Sequence, residues 1–133
     1  MISFDTLEKN DRQKMFAIYD KWPELAQKAV IQNDKYVDFG SINHIVFAGM
    51  GGSGTIGDIF SAILSKTKIH VSVIKGYQLP KTITKNTLVI TTSISGNTVE
   101  TLTILDAANK LDCKLMAFSS GGKMKEYCIK NNE

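Results

Sequence analysis

The 133-residue sequence predicts an α/β fold, in which helices cover both faces of a parallel sheet. Two stretches carry this prediction, because each contains a short apolar strand, a turn rich in glycine or serine, and a helix with an apolar face. Strands that alternate with helices are typical of parallel sheets. The length and a hydrophobic fraction of 43% suffice for one domain with its own core.

Residues 1–40 are predicted to form a helical arm ahead of this domain, which occupies residues 41–133. The first helix of the arm has an apolar face at helical spacing, made of Met15, Ile18, Tyr19 and Trp22. Asn10 or Asp11 can cap it. Pro23 suits the first position of a second helix, since proline lacks an N–H group. That second helix carries Leu25, Ala26, Ala29 and Val30.

Four strands are predicted in the domain, at residues 43–48, 68–74, 87–92 and 114–118. With the strand order 2-1-3-4, the first and third strands are neighbours. Ligands of such sheets bind beyond the carboxyl ends of the strands, where the strand order reverses. The turns that follow the first and third strands should therefore face one pocket.

The glycine turn, residues 49–54 (Gly-Met-Gly-Gly-Ser-Gly), follows the first strand. The helix after it carries an apolar stripe that should form its core contact, at Ile56, Ile59, Phe60, Ile63 and Leu64. A glycine-rich turn at a helix start leaves backbone N–H groups open to a ligand.

The serine turn, residues 93–98 (Ser-Ile-Ser-Gly-Asn-Thr), follows the third strand. It clusters the hydroxyls of Ser93, Ser95 and Thr98 at a helix N-terminus, where the helix dipole favours an anion such as phosphate. The spacing of Asn97 and Glu100 also fits a variant of the capping box, in which Glu100 accepts from the cap residue's own N–H group. An ordinary helix cap therefore stays open as an alternative, and the convergence of the two turns favours a ligand site.

Other glycine motifs fit less well. Gly49, Gly51 and Gly54 match a dinucleotide fingerprint, but the sequence has no acidic residue between Asp58 and Glu100 to hold a ribose. This disfavours NAD and leaves NADP, held by Lys75, as a weaker alternative. A P-loop fails because its lysine position is Asp58, and a nucleophile elbow fails because Thr55 stands where glycine is required.

The composition indicates the partners and the cellular compartment of such a domain. The net charge of +3 comes from 16 basic and 13 acidic residues without a basic patch, so we expect no nucleic-acid partner. No apolar run approaches the roughly 20 residues that span a bilayer, and no signal peptide is recognisable. The two cysteines, Cys113 and Cys128, are expected to be reduced. These observations predict a cytoplasmic protein with no membrane partner.

The two turns, together with residues 75–80 (Lys-Gly-Tyr-Gln-Leu-Pro), resemble the sugar isomerase (SIS) domain. Within that superfamily the sequence is most similar to the N-terminal half of bifunctional phosphoglucose/phosphomannose isomerases. The resemblance implies a three-layer α/β/α fold with a flavodoxin-like parallel sheet. It also implies that the hydroxyls of the serine turn (Ser93, Ser95 and Thr98) hold the sugar phosphate, and that Gly52 and Ser53 contact the sugar.

The resemblance further implies an isomerase that interconverts glucose 6-phosphate and fructose 6-phosphate through an enediol, with mannose 6-phosphate as an additional candidate substrate. It implies no metal or redox cofactor, and a homodimer for the full-length protein. The catalytic glutamate, histidine and arginine of such enzymes have no counterpart in the sequence and are expected beyond Glu133, so the domain should be truncated. A phosphosugar-sensing regulatory module is the alternative from a different functional class.

We expect the 133 residues alone to show no appreciable isomerase activity. A positioned acid or base typically contributes about 10²–10⁴-fold to a proton transfer, so the loss of several should abolish measurable turnover. A coupled assay of fructose 6-phosphate conversion checks this. Turnover at the rate of an intact isomerase would direct attention to Glu100, Asp58 and His44 as bases.

Overall fold

The computed structural model describes residues 3–32 and 37–131 of the chain. They form two compact units, one up to Asp38 and one from Phe39 onward. The first contains three helices, and the second contains a four-stranded sheet with three helices. Within the described ranges, no helix is both long and apolar enough to cross a membrane.

The N-terminal unit contains the helices α1 (Phe4–Asn10), α2 (Met15–Asp20) and α3 (Trp22–Gln32). The sequence predicts no helix where α1 lies; Ser3 caps it by accepting a hydrogen bond from the Thr6 N–H group at 3.2 Å. The N-cap residue of α2 is Lys14 and not one of the predicted caps, Asn10 or Asp11. The carboxylate of Asp11 nevertheless accepts a hydrogen bond from the Phe16 N–H group in the first turn of α2, at 2.8 Å. Backbone hydrogen bonds from Phe16 and Met15 lower the pKa of Asp11.

The prediction that Trp22 belongs to the first predicted helix is wrong. Trp22 begins α3, and Pro23 is the second residue of that helix. Proline clashes with a preceding helical turn and is tolerated only near a helix start, so α2 has to end before it, at Asp20. The ring of Trp22 packs edge-on against Tyr19, with 4.7 Å between the ring centroids.

The second unit confirms the predicted α/β fold and its strand order. Its strands are parallel and lie in the order β2-β1-β3-β4. They are β1 (His44–Ala48), β2 (His70–Ile74), β3 (Thr87–Thr92) and β4 (Lys114–Phe118). The helices are α4 (Gly52–Leu64), α5 (Val99–Asn109) and α6 (Gly122–Asn131). The sequence predicts α4 and α5 but no helix in the place of α6.

The hydrophobic core lies between the sheet and α5. Val46, Ala48 and Val89 of the central strands pack with Ile104 and Ala108 of α5, and each is at most 3% exposed. Removal of this apolar surface from water is the main favourable contribution to the free energy of folding. The core therefore fixes α5 over β1 and β3.

Helix α4 packs on the opposite face of the sheet through glycine. A Cβ atom on Gly57 would lie 2.8 Å from the Cβ atom of Phe47 and 3.0 Å from a methyl group of Val73. Gly57 and Gly54 are the buried residues of this helix. The absence of side chains at these positions lets the helix backbone approach β1 and β2 closely.

The predicted core stripe of α4 (Ile56, Ile59, Phe60, Ile63 and Leu64) is wrong for most of its length. The first four of these side chains are 40–60% exposed, because the glycines occupy the contact face. The ring of Phe60 stacks on Phe47 at a centroid distance of 5.2 Å. A cavity of about 520 Å³ lies beside it, lined also by Ile45, Ile90 and Met116. Helix α4 thus leaves part of this apolar face of the sheet open.

Two histidines begin neighbouring strands at the amino edge of the sheet, away from the predicted pocket. The Nε2 atom of His44 lies 3.0 Å from Ser72 Oγ, and its Nδ1 atom lies 3.4 Å from Thr87 Oγ1. The ring centroids of His44 and His70 are 4.9 Å apart. Burial lowers the pKa of His44, and the charge of His70 adds to this, while a hydrogen bond with the Thr82 backbone opposes it.

We expect His44 to make the protein less stable in mild acid. Its folded-state pKa is below the ordinary value of 6.5, so the unfolded state takes up a proton first as the pH falls. The stability that neutral His44 contributes is therefore complete above pH 6.5 and is lost as the pH falls through the folded-state pKa. Urea unfolding between about pH 7.5 and pH 5 measures this slope.

The variant His44→Gln should flatten the slope. The control variant His70→Gln should keep most of it, because burial is the largest cause of the His44 shift. Equal slopes in the wild type and in His44→Gln would contradict this account.

Candidate functional site

The glycine turn and the serine turn leave the sheet side by side. Strands β1 and β3 are parallel neighbours, with Ala48 paired to Thr91. A Cβ atom on Gly49 would lie 3.0 Å from the carbonyl oxygen of Thr92. The two turns therefore touch at the carboxyl edge of the sheet, where the predicted pocket lies.

The glycine turn is held close to the end of β2. Gly51 has a φ of +54° and precedes the first residue of α4, a conformation that favours glycine. A Cβ atom on Gly54 would lie 2.6 Å from the Gly49 carbonyl oxygen and 3.0 Å from the Lys75 side chain. Gly52, by contrast, faces open space. The first turn of α4 thus presents Gly52 and the half-buried Ser53 at the carboxyl edge of β1.

The serine turn brings two of its three predicted hydroxyls into contact. The Oγ atom of buried Ser93 lies 2.9 Å from Thr98 Oγ1 and accepts a hydrogen bond from the Gly96 N–H group at 3.1 Å. The third hydroxyl, on Ser95, is exposed and accepts from the Asn97 N–H group at 3.3 Å. Ser93 therefore shapes the turn from within, while the Ser95 hydroxyl faces solvent.

The capping box predicted from Asn97 and Glu100 is wrong. Thr98 is the N-cap residue of α5, and its side chain makes no capping hydrogen bond. The Thr98 hydroxyl is engaged with Ser93, and the Asn97 N–H group is taken by the Ser95 hydroxyl. Because no side chain caps α5 at Thr98, the N-terminal end of this helix is open to an anion.

Glu100 has a different partner. Its carboxylate interacts with the Tyr77 hydroxyl as a hydrogen-bond acceptor and as a negative charge, and both effects raise the pKa of Tyr77. Tyr77 lies in the segment that follows β2, so the contact joins that segment to the first turn of α5. The sequence places both residues near the turns but gives no sign of this pairing.

A third loop borders the serine turn and is missed by the sequence prediction. It follows β4 and consists of Ser119, Ser120, Gly121 and Gly122. The Ser120 N–H group donates to the Ile94 carbonyl oxygen at 3.1 Å, and the Ser120 hydroxyl donates to the same oxygen. Serine and glycine directly after a predicted strand are the pattern that marks the other two turns, and this signal could have found the third.

The site offers hydroxyl and backbone donors rather than metal ligands. Within residues 3–32 and 37–131, no group of three His, Cys, Asp or Glu side chains could hold a metal ion. The hydroxyl and backbone N–H donors of the turns suit an oxyanion with several acceptor oxygens.

Comparison with known proteins identifies the family of this arrangement. The model of the SIS domain matches residues 39–124, which include both turns and all four strands. The chain belongs to the SIS-domain family.

Curated relatives agree with this assignment. The SIS chain is 38% identical, over 124 residues, to the bifunctional phosphoglucose/phosphomannose isomerase of Caldicellulosiruptor bescii. It is 42% identical over 90 residues to the enzyme of the same name from Thermoplasma acidophilum. It is also 30% identical over 113 residues to the D-glucosamine-6-phosphate 4-epimerase of Sulfolobus acidocaldarius. These matches cover 88%, 68% and 84% of this chain but only 36%, 28% and 35% of the relatives.

A solved structure shares the fold. It is a crystal structure of a protein from Salmonella typhimurium LT2, provisionally described as a phosphosugar isomerase. The TM-score is 0.55 at 25% sequence identity, and the match covers 65% of this chain and 28% of that one. The comparison supports the parallel α/β sheet of the SIS domain.

The weaker NADP alternative meets an obstacle in the SIS domain. Lys75, its proposed phosphate ligand, forms an ion pair with Asp58 at 2.6 Å. The stem of the same lysine also lies against Gly54 of the glycine turn. Lys75 therefore has a structural partner that a 2′-phosphate would have to displace.

We expect the protein to bind no dinucleotide. Calorimetry with NAD at millimolar concentration should show no saturable binding, because no acidic side chain follows β2 to hold the ribose. Tight NADP binding that is lost in Lys75→Ala, and kept in the control Lys68→Ala at the other end of β2, would instead favour a dinucleotide site.

Proposed function

We propose that this SIS domain binds a hexose 6-phosphate as part of an aldose–ketose isomerase. The phosphate would lie at the serine turn, on Ser93, Ser95 and Thr98. Gly52 and Ser53 of the glycine turn would contact the sugar. The substrates would be glucose 6-phosphate and fructose 6-phosphate, with mannose 6-phosphate as a further candidate.

The observation that carries this proposal is the uncapped start of α5 beside clustered hydroxyls. Thr98 makes no side-chain cap, and its hydroxyl lies 2.9 Å from that of Ser93. A phosphate dianion at this position would accept hydrogen bonds from hydroxyls and from the first N–H groups of the helix, and it would lie at the positive end of the helix dipole. No side chain that carries a positive charge is needed for such a site.

The relatives support a phosphorylated hexose as the ligand. Two of those compared are named as isomerases of phosphoglucose and phosphomannose, and a third as an epimerase of D-glucosamine 6-phosphate. Their names differ in the reaction but share a phosphorylated hexose. The names therefore support a phosphorylated hexose as the class of ligand.

In the proposed reaction, acid–base catalysis first opens the sugar ring. A base then removes the proton from C2 of the aldose while O1 takes up a proton, and the resulting enediol gains a proton at C1 and loses one from O2 to give the ketose. The serine turn would hold the phosphate and so fix the distance of C1 and C2 from the catalytic groups. The glutamate base, the histidine and the arginine that the resemblance implies are not among the residues of these turns.

The same proposal includes the domain bounds, the assembly and the cellular location of the protein. We propose a helical arm in residues 1–40, an SIS domain from residue 41 to residue 133, a homodimeric assembly of the full-length protein and a cytoplasmic location. A non-catalytic phosphosugar sensor remains the alternative, since it would use the same turns. Isomerase activity of the full-length protein separates the two: a sensor binds the sugar phosphate without converting it.

Replacement of Ser95 by alanine tests the phosphate site. The Ser95 side chain is exposed, so Ser95→Ala should leave the unfolding temperature nearly unchanged. A hydrogen bond to a charged group contributes about 1.5–3 kcal/mol, so the affinity for fructose 6-phosphate should fall roughly ten-fold to a hundred-fold. Ligand-induced thermal stabilisation reports both quantities, because a ligand that binds only the folded state raises its stability.

The matched control is Ser65→Ala, at the far end of α4, where the hydroxyl donates only to the Ala62 carbonyl oxygen at 2.7 Å. This variant should keep the full stabilisation by fructose 6-phosphate. Two results would rule out the proposed phosphate site: an unchanged response of Ser95→Ala, or an equal response of the wild type to unphosphorylated fructose.

A further inference from the structure

The segment from Ser119 to Met124, which joins β4 to α6, is fastened to the serine turn. The Met124 N–H group donates to the Gly96 carbonyl oxygen at 2.9 Å, and the Ser120 N–H group donates to the Ile94 carbonyl oxygen at 3.1 Å. These bonds join the backbone of the turn to the start of α6. We call this segment the β4–α6 junction.

The junction and the serine turn meet backbone against backbone. Gly96 has a φ of +67°, and a Cβ atom on it would collide with the Gly121 carbonyl oxygen. Gly122 has a φ of +65°, and a Cβ atom there would collide with the Ser95 carbonyl oxygen. No side chain fits between the two segments, so a shift of one would move the other.

The side chain of Asn97 bridges the same contact. Its Nδ2 atom donates to the Ser95 carbonyl oxygen at 3.1 Å, within the serine turn. Its Oδ1 atom accepts from the Lys123 N–H group at 3.2 Å, in the first turn of α6. The Asn97 amide thus holds Ser95, whose hydroxyl is predicted to bind phosphate. It also caps α6.

We propose that Asn97 is a positioning residue for phosphosugar binding, which acts by fastening the serine turn to α6. The inference rests on the proposed phosphate site and names a residue that supports it without touching the ligand. With Asn97 in place, the Ser95 hydroxyl and the open end of α5 are ordered before the ligand arrives. Without it, ligand binding has to order the turn, and that entropy loss weakens affinity.

The bridge also has an electrostatic consequence. Two N–H groups in the first turn of α6, those of Lys123 and Met124, point at the serine turn. The positive end of the α6 dipole therefore lies against the serine turn, at which α5 also begins. Both helix ends favour an anion there, and the effect of such dipoles is confined to the first turn of a helix.

A simple helix cap would use Asn97 differently. If its role were only to cap α6, loss of the side chain would lower the stability of the protein and leave the affinity of the folded state for ligand unchanged. The folded wild type, Asn97→Ala and Asn97→Ser would then all bind ligand equally well. Positioning requires in addition the bond from Nδ2 to the Ser95 carbonyl oxygen, which serine cannot replace.

The test compares Asn97→Ala and Asn97→Ser with Asn109→Ala as a matched control. Asn109 also links α5 to α6, because its Nδ2 atom donates to the Tyr127 hydroxyl at 3.0 Å, but it lies at the opposite end of α5. Calorimetry with fructose 6-phosphate, on protein shown to be folded by its thermal transition, gives the affinity of each variant.

We expect both Asn97 variants to bind fructose 6-phosphate about three-fold to ten-fold more weakly than the wild type, and Asn109→Ala to bind like the wild type. Amide hydrogen exchange in residues 93–98 should be faster in both Asn97 variants before ligand is added.

The proposal is overturned if Asn97→Ala binds like the wild type, if Asn97→Ser restores full affinity, or if Asn109→Ala weakens binding equally. A wild-type protein that binds no fructose 6-phosphate would instead reject the phosphate site itself, together with the positioning role that depends on it.

Discussion

The parallel pairing of β1 with β3 is the constraint on which the candidate site depends. Their register places Ala48 opposite Thr91, so both strands end at the same edge of the sheet. Gly49 then lets the two turns touch, since no side chain separates it from the Thr92 carbonyl oxygen. A shift of either strand by one residue would turn its own valine, Val46 on β1 or Val89 on β3, away from the α5 core, and the burial of these side chains therefore maintains the register.

The second feature is a difference between the N-termini of α5 and α6 in how their first N–H groups are satisfied. The N–H groups of Lys123 and Met124 in α6 donate to Asn97 and to the Gly96 carbonyl oxygen, whereas the N-cap residue of α5, Thr98, makes no side-chain cap. Side chains that could have capped α5 are engaged elsewhere, Thr98 with Ser93 and Glu100 with Tyr77. An uncapped helix start costs stability that a cap would supply, and a bound anion can offset that cost.

Helix α4 shows how packing decides the position of a binding turn. Its glycines allow the helix backbone to lie close to β1 and β2, since a Cβ atom on Gly57 would lie only 2.8 Å from the Cβ atom of Phe47. That approach brings Gly52 and Ser53 to the edge of the sheet beside the serine turn. The same packing leaves the isoleucines of α4 exposed, although an apolar stripe on a helix ordinarily faces the core.

The sequence by itself determined the sheet, its strand order and the meeting of the glycine turn with the serine turn at one edge. Short β-branched runs, each followed by a glycine or serine turn and a helix, are local signals, and the rules for parallel sheets turn them into a pocket at one edge. The hydroxyls of Ser93 and Thr98 meet as the spacing of the serine turn indicates. Local patterns suffice here because they depend on residues close together in the chain.

Only the tertiary structure decided which partner each polar group takes. Asn97 and Glu100 form a plausible capping box in sequence. In the structure the Oδ1 atom of Asn97 accepts from Lys123, and Glu100 interacts with Tyr77, so each has a partner more than twenty residues away. The face that α4 buries was likewise set by the close approach of its glycines to Phe47 rather than by its apolar periodicity. Folding brings distant hydrogen-bond partners and packing surfaces close to a residue, and these compete with partners nearby in the chain. A local sequence pattern does not show which of the two a residue will take.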